Sequence, residues 1–139
     1  MIHDLEIARN RLKEENLSLV IVKDGKIIFE TKSSGLRGFL QAIELFNKRL
    51  TESSLADRVM GRAAALLSVY SGVSAVFAVT ISEEGIKVLE DNNILYQFEN
   101  CVPKILNSRG NDMCPFEKLT ISITGPAEAY SKLKSLIKT

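Results

Sequence analysis

The stretch Val73-Ser74-Ala75-Val76-Phe77-Ala78-Val79-Thr80, set directly after Gly72, most limits how this chain folds. It is almost wholly apolar, rich in β-branched residues and shows no polar alternation. A strand of that kind must be covered on both faces, as in the interior of a parallel sheet. Parallel neighbours need long crossovers, usually helical, so the run implies an α/β architecture. The flanks agree with this. An alanine-rich helix through Ala63-Ala64-Ala65-Leu66-Leu67 precedes Gly72, and Ser82-Glu83-Glu84 follows as a helix start, with acids at the positive end of the helix dipole.

The remaining elements follow from periodicity. Ile2 to Asn16 carries Ile2, Leu5, Ala8 and Leu12 at near-helical spacing. Leu17–Val22 and Ile27–Phe29 flank Asp24-Gly25, the two-residue turn of a β-hairpin. Leu36, Phe39, Leu40, Ile43, Phe46 and Leu50 predict a second helix. A third is predicted from Ser54 through Leu67, with Ser53 or Ser54 as its N-cap. Ile94–Phe98 reads as a strand. Lys118–Thr124 alternates Leu119, Ile121 and Ile123 with polar residues and reads as another, before a last helix opened by Pro126. The expectation is one domain over residues 1–139, with a mixed five-stranded sheet and helices on both faces.

Composition narrows the function classes. Eighteen basic against 17 acidic side chains leave a net charge of +1, without the footprint of a dedicated nucleic-acid binder. The start, Met1-Ile2-His3-Asp4-Leu5-Glu6, lacks a signal peptide's basic region, and Ala63–Ile81 is interrupted by Ser68, Ser71, Gly72 and Ser74. A cytoplasmic protein without a membrane role is expected. His3 is the only histidine, and Cys101 and Cys114 are the only cysteines, too few soft ligands for zinc. No phosphate-binding or dinucleotide-binding glycine motif is present, and no cofactor is expected. A Cys101–Cys114 disulfide is not expected in a reducing cytosol.

Three places could carry chemistry. On the predicted third helix, Asp57, Arg58, Gly61 and Arg62 project to one side. A glycine there costs about 1 kcal/mol relative to alanine, so Gly61 marks either tight packing or the approach of a ligand. The ligand reading makes Arg58 or Arg62 the charge for an anion or nucleotide and Asp57 an acceptor or base. Ser82, at a strand-to-helix junction, is either a simple N-cap or part of an anion site. The third is the connection from about Glu99 to Glu117, with Asn107, Arg109, Cys114 and Glu117, longer than the ~12–15 residues usual for an unstructured loop. Cys114-Pro115-Phe116-Glu117 resembles a one-turn helix start, where a thiol is activated. Cys114 is therefore a candidate nucleophile or redox residue, assisted by Asp57 or Glu117, or else a small buried hydrophobe.

Asp57 through Leu67 with the strand that follows, and Asn107-Ser108-Arg109-Gly110 through Cys114-Pro115-Phe116-Glu117, together resemble a small uncharacterised bacterial family, a domain of unknown function with a cytidine-deaminase-like fold. The resemblance covers essentially the whole chain. It implies a three-layer α/β/α sandwich with its site at the starts of the third and fourth helices. Zinc deaminases of that fold carry His-x-Glu at the first of these starts and Pro-Cys-x-x-Cys at the second. This chain has Asp57 to Arg62 and Ile81-Ser82-Glu83-Glu84 instead. Nucleobase deamination is therefore not expected, while the cleft does not depend on the metal.

Three readings stay open. The first is a small anionic or nucleotide-like ligand held among Asp57, Arg58, Gly61, Arg62, Ser82, Asn107, Arg109 and Glu117, with Arg62 as the critical contact. The second is a cysteine-dependent enzyme or redox protein using Cys114. The third is an interaction module, for which a closed homodimer is the commonest arrangement.

Overall fold

The computed structural model describes residues 2–138. The apolar run forms strand β4 (Ala75–Ser82), in which Ala75, Val76, Phe77, Ala78 and Ile81 are buried. It lies parallel between β3 (Ser54–Met60) and β5 (Leu95–Val102). The crossovers are the helices α3 (Arg62–Ser71) and α4 (Glu83–Asp91), the arrangement that two-sided burial required. Gly72 ends α3 in the left-handed conformation at φ 78°, and its N–H bonds back to Ser68 and Val69.

The other edge of the sheet is antiparallel. Strands β1 (Leu19–Lys23) and β2 (Lys26–Thr31) form the hairpin, and both turn residues take positive φ, Asp24 at 52° and Gly25 at 77°. Strand β1 also pairs with β3, giving the order β2-β1-β3-β4-β5. Helix α1 (Ile2–Glu14) covers one face, its Leu5, Ala8 and Leu12 packed on Val20, Val22, Ala56 and Phe77. The opposite face carries α2 (Arg37–Phe46), α3, α4 and α6 (Pro126–Lys138), with a larger core that includes Ile21, Phe39, Leu55, Leu67, Leu89 and Leu133. Among the described residues no helix is long and apolar enough to cross a membrane.

Two expectations are corrected. Ser54–Met60, read as the first half of the third helix, is strand β3. Its leucine, alanine and methionine are good helix formers, but the segment is hydrogen-bonded on both sides, antiparallel to β1 and parallel to β4. Ladders on two edges outweigh a weak local propensity. The helix begins only at Arg62, after an extended Gly61, so Asp57 and Arg58 stand on a strand and not on a helix face.

Lys118–Thr124, read as a strand, is instead the end of helix α5 (Pro115–Thr120) followed by a turn. The helix signal at Pro115 wins here, and the Thr120 hydroxyl donates back to the Phe116 carbonyl at 3.0 Å. The sheet still has five strands, but β3 takes the place assigned to 118–124.

These assignments separate two leucine-sized side chains that sequence pattern alone would treat alike. Leu55 is fully buried, and Leu55→Ala is expected to cost about 2–5 kcal/mol in urea unfolding. Ile121 is 63% exposed, so Ile121→Ala should stay within about 0.5 kcal/mol of the parent. A large loss at Ile121 would restore the strand assignment.

Candidate functional site

The β3–α3 junction has no side chain of its own to cap the helix, because the N-cap residue is Gly61. The first free N–H groups of α3 are satisfied from far along the chain. The buried Glu117 carboxylate, on α5, accepts from the N–H of Arg62 at 2.7 Å and from that of Ala63 at 2.8 Å. Both oxygens thus sit on the positive end of the helix dipole. The contact is so close that a Cβ on Gly61 would stand 2.3 Å from Glu117 Oε1. Gly61 is there to admit a carboxylate of the same chain.

Arg62 continues this link with its side chain. Its Nε donates to the Thr120 carbonyl at 2.8 Å, a second guanidinium nitrogen donates to the Ile123 carbonyl, and Nη1 lies 3.5 Å from Glu84 Oε1. It therefore caps the C-terminal end of α5 and ties it to α4. Ser82 caps α4, its Oγ accepting from the Gly85 N–H at 3.0 Å, and is itself buried. A Cβ on Gly85 would meet the Met60 carbonyl at 2.6 Å, so the start of α4 also packs directly on the end of β3.

Beside this junction lies a cavity of about 230 Å³. Its walls come from Asp57, Arg58 and Val59 on β3, Gly61, Ala63 and Ala64, the Ser34-Gly35-Leu36 turn before α2, and Ile105, Cys114, Phe116 and Glu117 from the C-terminal part. Ser18 completes them. Burial pushes the Asp57 carboxyl up to about 7, although the N–H groups of Val59 and Arg58 favour its charged form. Arg58 has its donors turned to the end of α1. Its guanidinium donates to the Leu17 carbonyl at 2.8 Å, to the Leu12 carbonyl at 3.1 Å and to Asn16 Oδ1 at 3.1 Å, closing the C-terminal end of α1.

Of the residues singled out from sequence, Asp57, Arg58, Gly61, Cys114 and Glu117 meet around this cavity. Arg62 lines instead a separate space of about 40 Å³ with Glu84 and Lys104. Ser82 lines neither. Asn107 and Arg109 lie in the connection between β5 and α5, where Asn107 bonds Asn111 and Arg109 is exposed. Sequence reasoning missed the apolar walls, Leu36, Ile105 and Phe116. The signal for one of them was the Ser33-Ser34-Gly35 break. Gly35 takes φ 71° and lies against Phe116, where an added Cβ would be 3.9 Å from the ring.

Comparison with known proteins gives the family and the fold. A family model, TM1506, domain of unknown function (DUF1893), matches residues 7–137. The chain belongs to the DUF1893 family. It is similar to the crystal structure of a DUF1893 family protein from Thermotoga maritima, with 28% identity and a TM-score of 0.87 over 95% of this chain and 88% of that one. A second likeness is to a diaminohydroxyphosphoribosylaminopyrimidine deaminase/5-amino-6-(5-phosphoribosylamino)uracil reductase from the same organism. There the TM-score is 0.50 at 17% identity, over 76% of this chain and 34% of that protein, so this chain spans about a third of its length. That likeness shows a deaminase-like fold. No curated protein matches the sequence.

The zinc that such a fold implies does not suit this DUF1893 chain. The two helix starts present Gly61-Arg62-Ala63 and Ser82-Glu83-Glu84, and the side chain lying between α4 and α5 is a guanidinium, itself a cation. Among the described residues no three His, Cys, Asp or Glu groups gather as a ligand set.

Glu117 and Gly61 should therefore be coupled energetically. Glu117→Ala is expected to cost about 1–3 kcal/mol, because two helix N–H groups lose a charged acceptor. Gly61→Ala should be destabilising alone and markedly less so in the Glu117→Ala background, where the obstructing carboxylate is gone. A urea-unfolding double-mutant cycle reads this as a coupling of about 1 kcal/mol or more. Simple additivity would sink the assignment.

Proposed function

We propose that this DUF1893 domain binds a small molecule in the cavity at the β3–α3 junction, on a deaminase-like scaffold adapted to work without the metal. A site of about 230 Å³ is smaller than the ~300–1,000 Å³ of drug-sized pockets, which suits one or two rings. Of the anionic or nucleotide-like ligands considered from sequence, the base-like kind fits best, since both nearby arginines are engaged with backbone carbonyls.

The observation that carries this reading is Asp57. A half-buried carboxyl held at about 7 among apolar walls can both donate and accept near neutral pH, and such groups concentrate at functional sites. Keeping it there costs stability. The folded state holds the Asp57 proton more tightly than the unfolded chain, whose value is near 3.8. Its contribution is therefore most favourable below about 4 and is lost as pH rises towards 7, a loss on the order of 2–4 kcal/mol over the whole window. Urea unfolding between pH 5 and pH 8 should show this decline in the parent and a nearly flat profile in Asp57→Asn. Thermal-shift titration with free nucleobases and nucleosides should raise the parent midpoint and leave Asp57→Asn unmoved. An unmoved parent across the panel would refute the base-like class of ligand.

A second reading rests on Cys114, which lines the same cavity as Asp57. In it Asp57, as the carboxylate, takes the thiol proton and Cys114 acts as nucleophile; Glu117, bound to the α3 N–H groups, is not free for that role. Iodoacetamide labelling of Cys114, followed by peptide mass spectrometry, should then slow in Asp57→Asn. Equal rates in both proteins would remove the thiol from the mechanism.

A further inference from the structure

We infer that the ligand of this cavity is an organic cation with N–H donors on a flat apolar body, such as an amidinium on an aromatic ring, and not an anion. The inference rests on the proposal that the cavity is a binding site and adds the charge of what enters it.

Four observations set the sign. The ionisable side chains lining the cavity besides Arg58 are Asp57, Glu117 and Cys114, all groups that become negative and none that becomes positive. Arg58 has its guanidinium spent on two carbonyls and Asn16 at the end of α1, and moving it would leave those acceptors bare. Arg62 is turned to the carbonyls of Thr120 and Ile123 and lines a different space. Finally, the place where an anion would normally be received, the first N–H groups of α3, already holds the Glu117 carboxylate. An incoming anion would face two carboxyls and find the donors of Arg58 and of the α3 start already engaged.

A cation meets the opposite situation. The ionised form of Asp57 is penalised by burial and is favoured only by neighbouring backbone N–H groups, so a positively charged donor supplies what the fold leaves out. The apolar surfaces of Phe116, Leu36 and Ile105 accept the flat body, and an aromatic face adds favourable contact with a delocalised cation. Specificity then comes from geometry, because a planar pair of N–H groups matches a carboxylate in two parallel bonds.

Benzamidine, benzamide and benzoate form a nearly isosteric series that carries positive, zero and negative charge. Each is titrated at pH 8 into the full isotope-labelled chain, and the amide shifts of Gly61, Ala63 and Cys114 are followed. Benzamidine should bind at least about tenfold more tightly than benzoate, with benzamide between them, and Asp57→Asn should abolish that preference. Benzoate binding in the cavity as tightly as benzamidine would overturn the inference while leaving the cavity a binding site. If neither these probes nor the nucleobase panel moves the cavity amides, the underlying assignment fails and the inference with it. Retention of the benzamidine preference in Asp57→Asn would also overturn it, since the carboxylate would not be the counter-charge.

Discussion

The carboxylate of Glu117 on the first two N–H groups of α3 joins parts of the chain that are otherwise far apart in sequence. One side of the contact is the junction of β3 with its crossover helix, and the other is the short helix after the long connection. With Arg62 reaching back to the carbonyls of Thr120 and Ile123, the α3 segment supplies the donors and the α5 segment the acceptors in every one of these bonds. The start of α3 thus meets a carboxylate and the end of α5 a guanidinium, each opposite in sign to the partial charge of that helix end. This link brings Phe116 and Cys114 up to Asp57 and so creates the cavity between them. Gly61 permits it by having no Cβ to fill the space that the carboxylate occupies.

The same link decides the electrostatics of the site. Two arginines that look available in sequence are consumed in closing helices, Arg58 at the end of α1 and Arg62 at the end of α5. The cavity is left with two carboxyls, Glu117 bound to the start of α3 and Asp57, which makes no ion pair among the described residues. The demand for donors to bare helix-end carbonyls has engaged both guanidinium groups and turned their N–H groups away from the cavity. The starts of α3 and α4 are both satisfied by side chains of the same chain. Beside the start of α4 stands the guanidinium of Arg62, 3.5 Å from Glu84 Oε1.

Much of the fold was legible in the residues because its causes are local. Asp24-Gly25 could be read as a hairpin turn, since a two-residue loop needs positive φ at both positions and these residues tolerate it. Ser82 could be read as an N-cap for the same reason, its hydroxyl reaching only three residues ahead. The site was half legible. The pattern of residue types marks Asp57, Arg58, Gly61, Cys114 and Glu117 as candidates, and all five line the cavity, but Gly61 precedes the helix into whose interior that pattern puts it. Arg62, Ser82, Asn107 and Arg109 were grouped with them by element order, and their side chains lead elsewhere.

By itself the sequence determined that one strand must be covered on both faces, because eight successive residues without polar alternation leave no side to face water. That requirement sets the parallel pairing, the crossover helices and the layered form. Only the tertiary structure decided whether Ser54–Met60 would be helix or strand, because its answer lies in hydrogen bonds to β1 and β4 and not in its own propensities. Likewise, only tertiary structure decided what stands against Gly61, because the carboxylate comes from a residue 55 positions past Arg62, and no local pattern encodes a partner at that distance.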